Sequence, residues 1–318
     1  MLFVPGNSMR MIVKSATLAS DAIILDLEDA VPLPDKATAR IMIRDSVKAV
    51  KSGEAYVFVR VNALTTNLTA EDLKFIDKGL DGVMLPKTEA KPDVLELNGM
   101  LEEVERNSGL EQGSLKIIPL IETAKGVVNA YEIASASERV IAVAFGSGDY
   151  YGDLGRNISF LSPEQTELLY ARSQIVNGSR AAGVQAIDTP FFGLLTDAEG
   201  FVKEATLASQ LGFKGKLLIH PTQIDVVNKV FSPSQDEVGY SRRVVEAFEK
   251  AQAKGLGAIS FEGKMVDYMN YRQARDLVNL VETIVEKERK RQQAPYISLS
   301  QFLASSSTRF PTQDIEPK

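Results

Sequence analysis

Eight short apolar runs, spread through the first 231 residues, constrain this chain more than any other feature. They are Leu2–Pro5, Ala22–Leu27, Tyr56–Val61, Gly82–Pro86, Lys116–Ile121, Val140–Phe145, Val184–Ile187 and Lys216–Ile219. Each is rich in Val, Ile, Leu or Phe, and most lack the alternation of a half-exposed strand, so they read as strands buried on both faces. The stretches between them read as helices. Ser162-Pro163-Glu164-Gln165 has the form of a capping box with Pro at the first helical position. It predicts a helix opening there, with Leu168, Arg172, Ile175 and Ser179 along one side and Gly183 as a left-handed cap. Eight βα units in series are what a (β/α)8 barrel requires, so residues 1–231 are read as an α/β fold of the TIM-barrel type. A doubly wound open sheet is the competing arrangement. The Gly-x-Gly-x-x-Gly phosphate fingerprint that would support it is missing after the first run.

The pattern changes after the eighth unit. Ser234-Gln-Asp-Glu237 forms another capping box, predicting a helix to about Gly255 with Val238, Val245 and Phe248 as its apolar stripe. Gly255–Gly263 reads as a glycine-bounded connector. A second helix is expected from about Lys264, with Leu277, Leu280, Val281 and Ile284 at helical spacing and the charge run Glu286–Arg291 as a solvated last turn. Residues 232–291 are thus expected to be a C-terminal helical extension, too short for a core of its own and packed on the barrel or on a neighbouring subunit. From 292 to 318, Ser305–Thr308 and Pro311 predict a poorly ordered tail.

Composition narrows the chemistry. A net charge of −6 disfavours nucleic acid as a partner. The absence of cysteine removes disulfides, thiol nucleophiles and iron–sulfur clusters, and fits the cytoplasm or an organellar matrix. No apolar run approaches the ~20 residues of a membrane span, so no membrane partner is expected.

The residues at the ends of the apolar runs carry the candidate chemistry, because parallel barrels place their active sites there. Glu122 follows the fifth run, and Asp149 follows the sixth through Gly146-Ser-Gly148. Two carboxylates on neighbouring strand ends, in a chain with one histidine and no cysteine, suit a hard oxygen-seeking cation and point to Mg2+. Each acid alone would also serve as a helix cap. The second run ends in Asp26-Leu27-Glu28-Asp29; Asp26 and Glu28 share a face, and such crowded carboxylates call for a compensating cation or donors. Arg60, inside Tyr56–Val61, is costly to bury unless it faces an anion, which makes it the leading substrate-binding cation. Arg10 and Lys14 lie one helical turn apart after the first run, either as a phosphate site or as a solvated basic face. Lys87 reads as a structural ion pair before a Schiff-base lysine, and His220 as a packing residue or a catalyst. Together these groups would chelate a 2-oxo acid and stabilise an enolate, the requirement for making or breaking a carbon–carbon bond beside a carbonyl.

Beyond this reading, the motifs Phe3-Val-Pro-Gly-Asn7, Ile24-Leu-Asp-Leu-Glu-Asp-Ala30, Val59-Arg-Val-Asn62, Gly82-Val-Met-Leu-Pro-Lys87, Ile121-Glu-Thr-Ala-Lys-Gly126, Phe145-Gly-Ser-Gly-Asp149, Ala181-Ala-Gly-Val-Gln-Ala-Ile-Asp188, Ile219-His-Pro221, Val230-Phe-Ser-Pro233 and Gly263-Lys-Met-Val-Asp267 occur in unbroken order. This series closely resembles the Mg2+-dependent CoA-ester lyases, namely the citrate lyase beta-subunit-like, malyl-CoA and citramalyl-CoA lyases. The resemblance spans about residues 1–285. It implies a (β/α)8 barrel with Mg2+ on Glu122 and Asp149 and Arg60 on the substrate oxygens; Glu28 and Asp29, from the strand-end reading, are the candidates to stand behind the metal pair. It also implies that Phe3, Arg10 and Lys14, with the backbone near Ile219 and His220, hold the CoA part. Asp267 matches a catalytic acid given across a subunit interface, and a homotrimer or a dimer of trimers is the implied assembly. The implied substrates are a CoA thioester such as malyl-, citramalyl- or citryl-CoA and a 2-oxo acid; a subunit working on a carrier-bound citryl thioester is the alternative. Gly148 departs from the pattern, since many relatives place Glu or Asp there.

Overall fold

The computed structural model describes residues 1–52, 54–76 and 78–293. The chain divides into two compact units at Val227–Asn228. In the first unit, eight parallel strands follow one another in chain order: β1 (Leu2–Pro5), β2 (Ala22–Asp26), β3 (Tyr56–Arg60), β4 (Gly82–Leu85), β5 (Lys116–Ile121), β6 (Ala142–Phe145), β7 (Gln185–Asp188) and β8 (Gly215–Lys216). Just beyond β8, Leu218 pairs with Leu2; the Phe3 N–H donates to the Leu218 carbonyl at 2.9 Å and the Leu218 N–H to the Met1 carbonyl at 2.8 Å. The last strand thereby returns to the first, and the expected barrel is realised.

Alternation along these strands positions the site. Ala22 and Ile24, Phe58, Met84, Ile118 and Leu120, Ala142 and Ala144, Ile187 and Leu217 form one buried cluster inside the barrel. Two residues further along the same inward faces stand Asp26 after Ile24, Arg60 after Phe58 and Glu122 after Leu120. The charged layer at the C-terminal mouth is therefore a continuation of the apolar core. Neighbouring residues point outward: Asp188, beside inward Ile187, and Lys216, beside inward Leu217, face the outer helices Leu169–Ala181 and Ala198–Leu211.

The Ser162 capping box does not form. A helix begins only at Leu169, after a 3-10 turn at Thr166–Leu168, and Ser162 instead donates to Glu167. Gln165 adopts φ +51° so that its amide can join buried Arg172 and Glu204, and that polar network overrides the local cap. The stripe Leu168, Arg172, Ile175 and Ser179 is buried as expected, and Gly183 has φ +77°.

The second unit corrects two further expectations. The glycine-bounded connector is an antiparallel hairpin of β9 (Ala258–Phe261) and β10 (Lys264–Asp267), turned by Glu262 at φ +47° and Gly263 at φ +76°. Its final helix opens at Tyr268 and runs to Gln293. Val244 and Phe248 of the helix Gln235–Gln252 pack with Val266, Tyr271 and Ala274, with Val245 partly buried beside them. The extension thus owns a small core, supplied by the hairpin that was not expected. The expected tail lies outside the described residues from 294 onward.

Candidate active site

Asp26 and Arg60 are register partners on β2 and β3. Arg60 Nε and Nη2 donate to the two Asp26 oxygens at 2.7 and 2.6 Å, Nη1 lies 2.9 Å from Glu28 Oε2, and the guanidinium stacks 4.6 Å from the centre of the Phe3 ring. Asp26 also accepts from the N–H groups of Glu28 (2.9 Å) and Ala30 (3.2 Å), which shapes the turn after β2. Lys36 closes that turn from behind, its ammonium donating to the Leu27 and Glu28 carbonyls at 2.7 and 3.0 Å; burial pulls its pKa down. The anion that Arg60 was expected to face is thus built into the chain.

Lys87 occupies the centre of the mouth. Its Nζ lies 3.0 Å from Glu28, 3.7 Å from Asp149 and 4.0 Å from Asp29, while its backbone N–H donates to Glu122 Oε2 at 2.9 Å. It adopts φ +52°, a left-handed conformation unusual for lysine. Glu122 is buried, and Thr123 behind it caps the next helix by accepting from the Gly126 N–H at 3.1 Å. Burial first, then the charge of Glu28, pushes the Glu122 pKa up to about 8, against the opposing Lys87 N–H and Arg60. Burial also raises Glu28, opposed by Arg60. Asp149, half exposed, rides on the helix Ser147–Asp153. The start of that helix is pinned where the Ser147 N–H donates to the Thr189 hydroxyl at 2.9 Å and the two hydroxyls pair at 2.8 Å. A cleft of 320 Å³ opens here, lined by Ala63, Leu64, Lys87, Glu122, Thr123 and Asp149 among others.

These residues fit a hard divalent cation. Among the described residues, the cations that face Asp26, Glu28, Asp29, Glu122 and Asp149 are Arg60, Lys87 and Lys36, the last shared with Asp72, so carboxylates outnumber bases at the mouth. Glu28 Oε2, though close to Arg60, is buried without a hydrogen bond. Among the described residues no three His, Cys, Asp or Glu side chains converge to hold a metal by themselves. Glu122 and Asp149, at the ends of neighbouring strands and both lining the cleft, are the carboxylates that could offer such an ion its protein ligands.

The other expected residues divide into two groups. Arg10 and Lys14 are exposed cations on the helix Met9–Ser15, which leaves the same end of β1. His220 caps the turn Pro221–Gln223, its Nδ1 paired with the Thr222 hydroxyl at 2.8 Å, and the N–H groups of Ile219 and His220 both donate to Gln223 Oε1. Any backbone contribution to a ligand there falls to the carbonyls. Asp267 ends β10 in the second unit, where its Oδ1 accepts from the Met269 and Asn270 N–H groups at 2.9 and 3.1 Å. A Cβ added at Gly148 would stand 2.9 Å from the Phe192 ring, so an acid at this position would have to displace that ring. The sequence reading missed Lys36, which holds the turn after β2, and Thr189, directly after β7, which pins the helix that carries Asp149.

The family model for HpcH/HpaI aldolase/citrate lyase matches residues 1–221. The chain belongs to this family. Citrate lyase subunit beta of Leuconostoc mesenteroides subsp. cremoris is 42% identical over 268 residues, covering 84% of this chain and 87% of that one. The L-malyl-CoA/beta-methylmalyl-CoA lyase of Cereibacter sphaeroides (strain ATCC 17025 / ATH 2.4.3) is 33% identical over 302 residues, covering 89% and 94%. Among solved structures, CitE from Mycobacterium tuberculosis in complex with magnesium, acetoacetate and coenzyme A superposes with a TM-score of 0.69 at 33% identity, covering 87% of this chain and 96% of that one. Members of the aldolase/citrate lyase family with these names are lyases, and the motif resemblance is thereby established as kinship.

Proposed function

We propose that this protein is a Mg2+-dependent carbon–carbon lyase that splits a 3-hydroxyacyl-CoA bearing a carboxylate into acetyl-CoA and a 2-oxo acid, or runs the reverse condensation. The observation that carries this reading is the excess of carboxylate at a barrel mouth built from Glu122, Asp149, Glu28 and Arg60. Glu122 and Asp149 would hold the ion, which supplies Lewis-acid stabilisation of oxyanion charge. Arg60, held by Asp26 and Glu28, is the cation we assign to the substrate oxygens. In the cleavage direction the 3-hydroxyl gives its proton to water or to a carboxylate at the mouth, the electrons left on oxygen form the new carbonyl, and the carbon–carbon bond breaks. The departing thioester enolate then takes a proton at carbon, the role we assign to Asp267 from a neighbouring subunit of a homotrimer or hexamer. Phe3, Arg10 and Lys14 would hold the CoA part, with the carbonyls near Ile219 and His220.

A second reading has specific support: relatives named citrate lyase subunit beta are 41–43% identical, against 33% for the malyl-CoA lyase. Under it the thioester is citryl, presented on a carrier. Malyl-, citramalyl- and citryl-CoA assayed with Mg2+ and with EDTA, alone and with an acyl-carrier protein, test both readings. Metal-dependent turnover of a free CoA ester is expected under the first, and turnover only with the carrier under the second. No turnover under any condition overturns both. The acid assignment is tested by Asp267→Asn, which keeps the helix cap because Asn caps as well as Asp. Turnover should collapse while the melting temperature stays at the wild-type value; normal turnover would return Asp267 to a purely capping role.

A further inference from the structure

We infer that Lys87 is a built-in counter-cation of the carboxylate cage, which must give up Asp149 when a divalent ion binds and then takes the anionic group of the organic ligand, so that metal and ligand bind cooperatively. The inference rests on the metal-site reading proposed above and adds a role for a residue that the strand-end pattern left as an ion pair.

The argument begins with what distinguishes Lys87 from Arg60. Arg60 is buried, and Asp26 engages its planar fork at two points. It cannot leave without stranding both charges. Lys87 is a point charge on a flexible stem, 41% exposed, bordering the 320 Å³ cleft. Its contacts are graded rather than saturated: 3.0 Å to Glu28 but 3.7 Å to Asp149 and 4.0 Å to Asp29. The backbone is fixed even though the ammonium is not. The Thr88 N–H donates to the Leu120 carbonyl at 3.1 Å and the Thr88 hydroxyl to the Leu85 carbonyl at 2.9 Å. The left-handed φ of Lys87 lets a single residue offer its N–H to Glu122 and its ammonium to Glu28 and Asp149. Strain of this kind persists where the surroundings hold it in place.

A divalent ion seeking Glu122 and Asp149 finds the second of them already shared with a positive charge. That ion and the ammonium repel each other and compete for one carboxylate, so metal binding is opposed until Lys87 turns away. Turned into the cleft, its charge meets Glu89, already paired with Lys125 at 3.1 Å, and Asp93, already engaged by the Glu89 and Ala90 N–H groups, so the carboxylate of a 2-oxo acid would supply the uncommitted partner. Each ligand therefore relieves a cost that the other incurs, which is reciprocal coupling between two sites.

Isothermal titration of Mg2+ into the full chain, with and without saturating pyruvate, measures this coupling without relying on turnover. Lys87→Met should bind Mg2+ alone at least about tenfold more tightly than wild type. The factor by which pyruvate improves Mg2+ affinity should shrink correspondingly. Lys87→Arg, which retains the charge, should stay within about threefold of wild type on both counts. Lys87→Gln repeats the neutral arm should the methionine variant not fold. Neutral variants that bind Mg2+ no more tightly, or that keep the full pyruvate enhancement, overturn the inference while leaving the metal site standing. Failure of wild type to bind Mg2+ under either condition removes the metal site itself, and this inference with it.

Discussion

Two groups of charges lie at the same end of this barrel and behave in opposite ways. On the outward side of β7 and β8, Arg172, Asp188, Lys216 and Glu204 form a closed set of two bases and two acids. Arg172 Nε lies 2.9 Å and Lys216 Nζ 2.7 Å from Asp188, with no exposure of either basic side chain. On the inward side of β2 to β6, acids outnumber bases and the set opens to a cleft. Burial acts on both Asp188 and Glu122, yet Lys216 and Arg172 hold Asp188 below the usual carboxylate range while Glu122 rises to about 8. Burial alone does not mark a functional acid. The residual imbalance does, because a balanced set has no use for an ion from outside.

The largest effect that would sharpen this contrast is on turnover. Glu122→Gln should lower thioester cleavage by about three orders of magnitude or more, with no loss of melting temperature in EDTA near neutral pH, since glutamine replaces a carboxyl whose pKa is pushed up to about 8. Asp188→Asn in the closed set should do the reverse. It leaves Lys216 and Arg172 short of a buried partner, so equilibrium unfolding should show a loss of about 3–5 kcal/mol, while the folded fraction retains its rate per site. A stability loss for Glu122→Gln matching that of Asp188→Asn would erase the distinction.

The two sets also predict opposite pH dependences. The Glu122 carboxyl binds its proton more tightly folded than unfolded, so the stability it contributes is full below its ordinary 4.5 and is lost as pH rises through about 8. In EDTA, wild type should therefore lose unfolding free energy relative to Glu122→Gln across that window. Asp188 has the opposite sign: its contribution is present above its ordinary 3.8 and disappears only as the solution becomes more acidic than that. A flat difference between wild type and Glu122→Gln from pH 4.5 to 8 would contradict the imbalance.

The smallest effect belongs to the residue that touches both sets. Thr189 gives its carbonyl to Lys216 at 2.8 Å and its hydroxyl to Ser147, at the root of the Asp149 helix. Thr189→Val removes only the second link. It should cost about 1–2 kcal/mol of stability and weaken Mg2+ binding a few-fold by calorimetry. Thr189→Ser should restore both.

Much of this arrangement was readable in the sequence because it is periodic. Strands buried on both faces appear as unbroken apolar runs, so all eight were visible, and the acids at the ends of the second, fifth and sixth runs marked the mouth. The Arg172 position was readable for the same reason, since it interrupts the buried stripe of its helix. The Glu262-Gly263 hairpin was hidden because both residues take positive φ, a turn usually signalled by Asn-Gly or Asp-Gly. The Ser162 box misled because a distant polar cluster claimed Gln165. The place of Lys87 between Glu28 and Asp149 depends on three strand ends at once, and no local pattern reports that.

Chain-ordered strands have one further consequence, for biogenesis. Every rung between neighbouring strands can form as the polypeptide emerges, except the last. The Met1 amino group reaches the Lys216 carbonyl across 215 positions, and Phe3 must wait for Leu218. Until then β1 presents a bare edge of N–H and C=O groups, the surface on which strands of other chains add. A chain halted before Leu218 holds a sheet with two open edges, exposed for as long as the segment after β7 takes to be made.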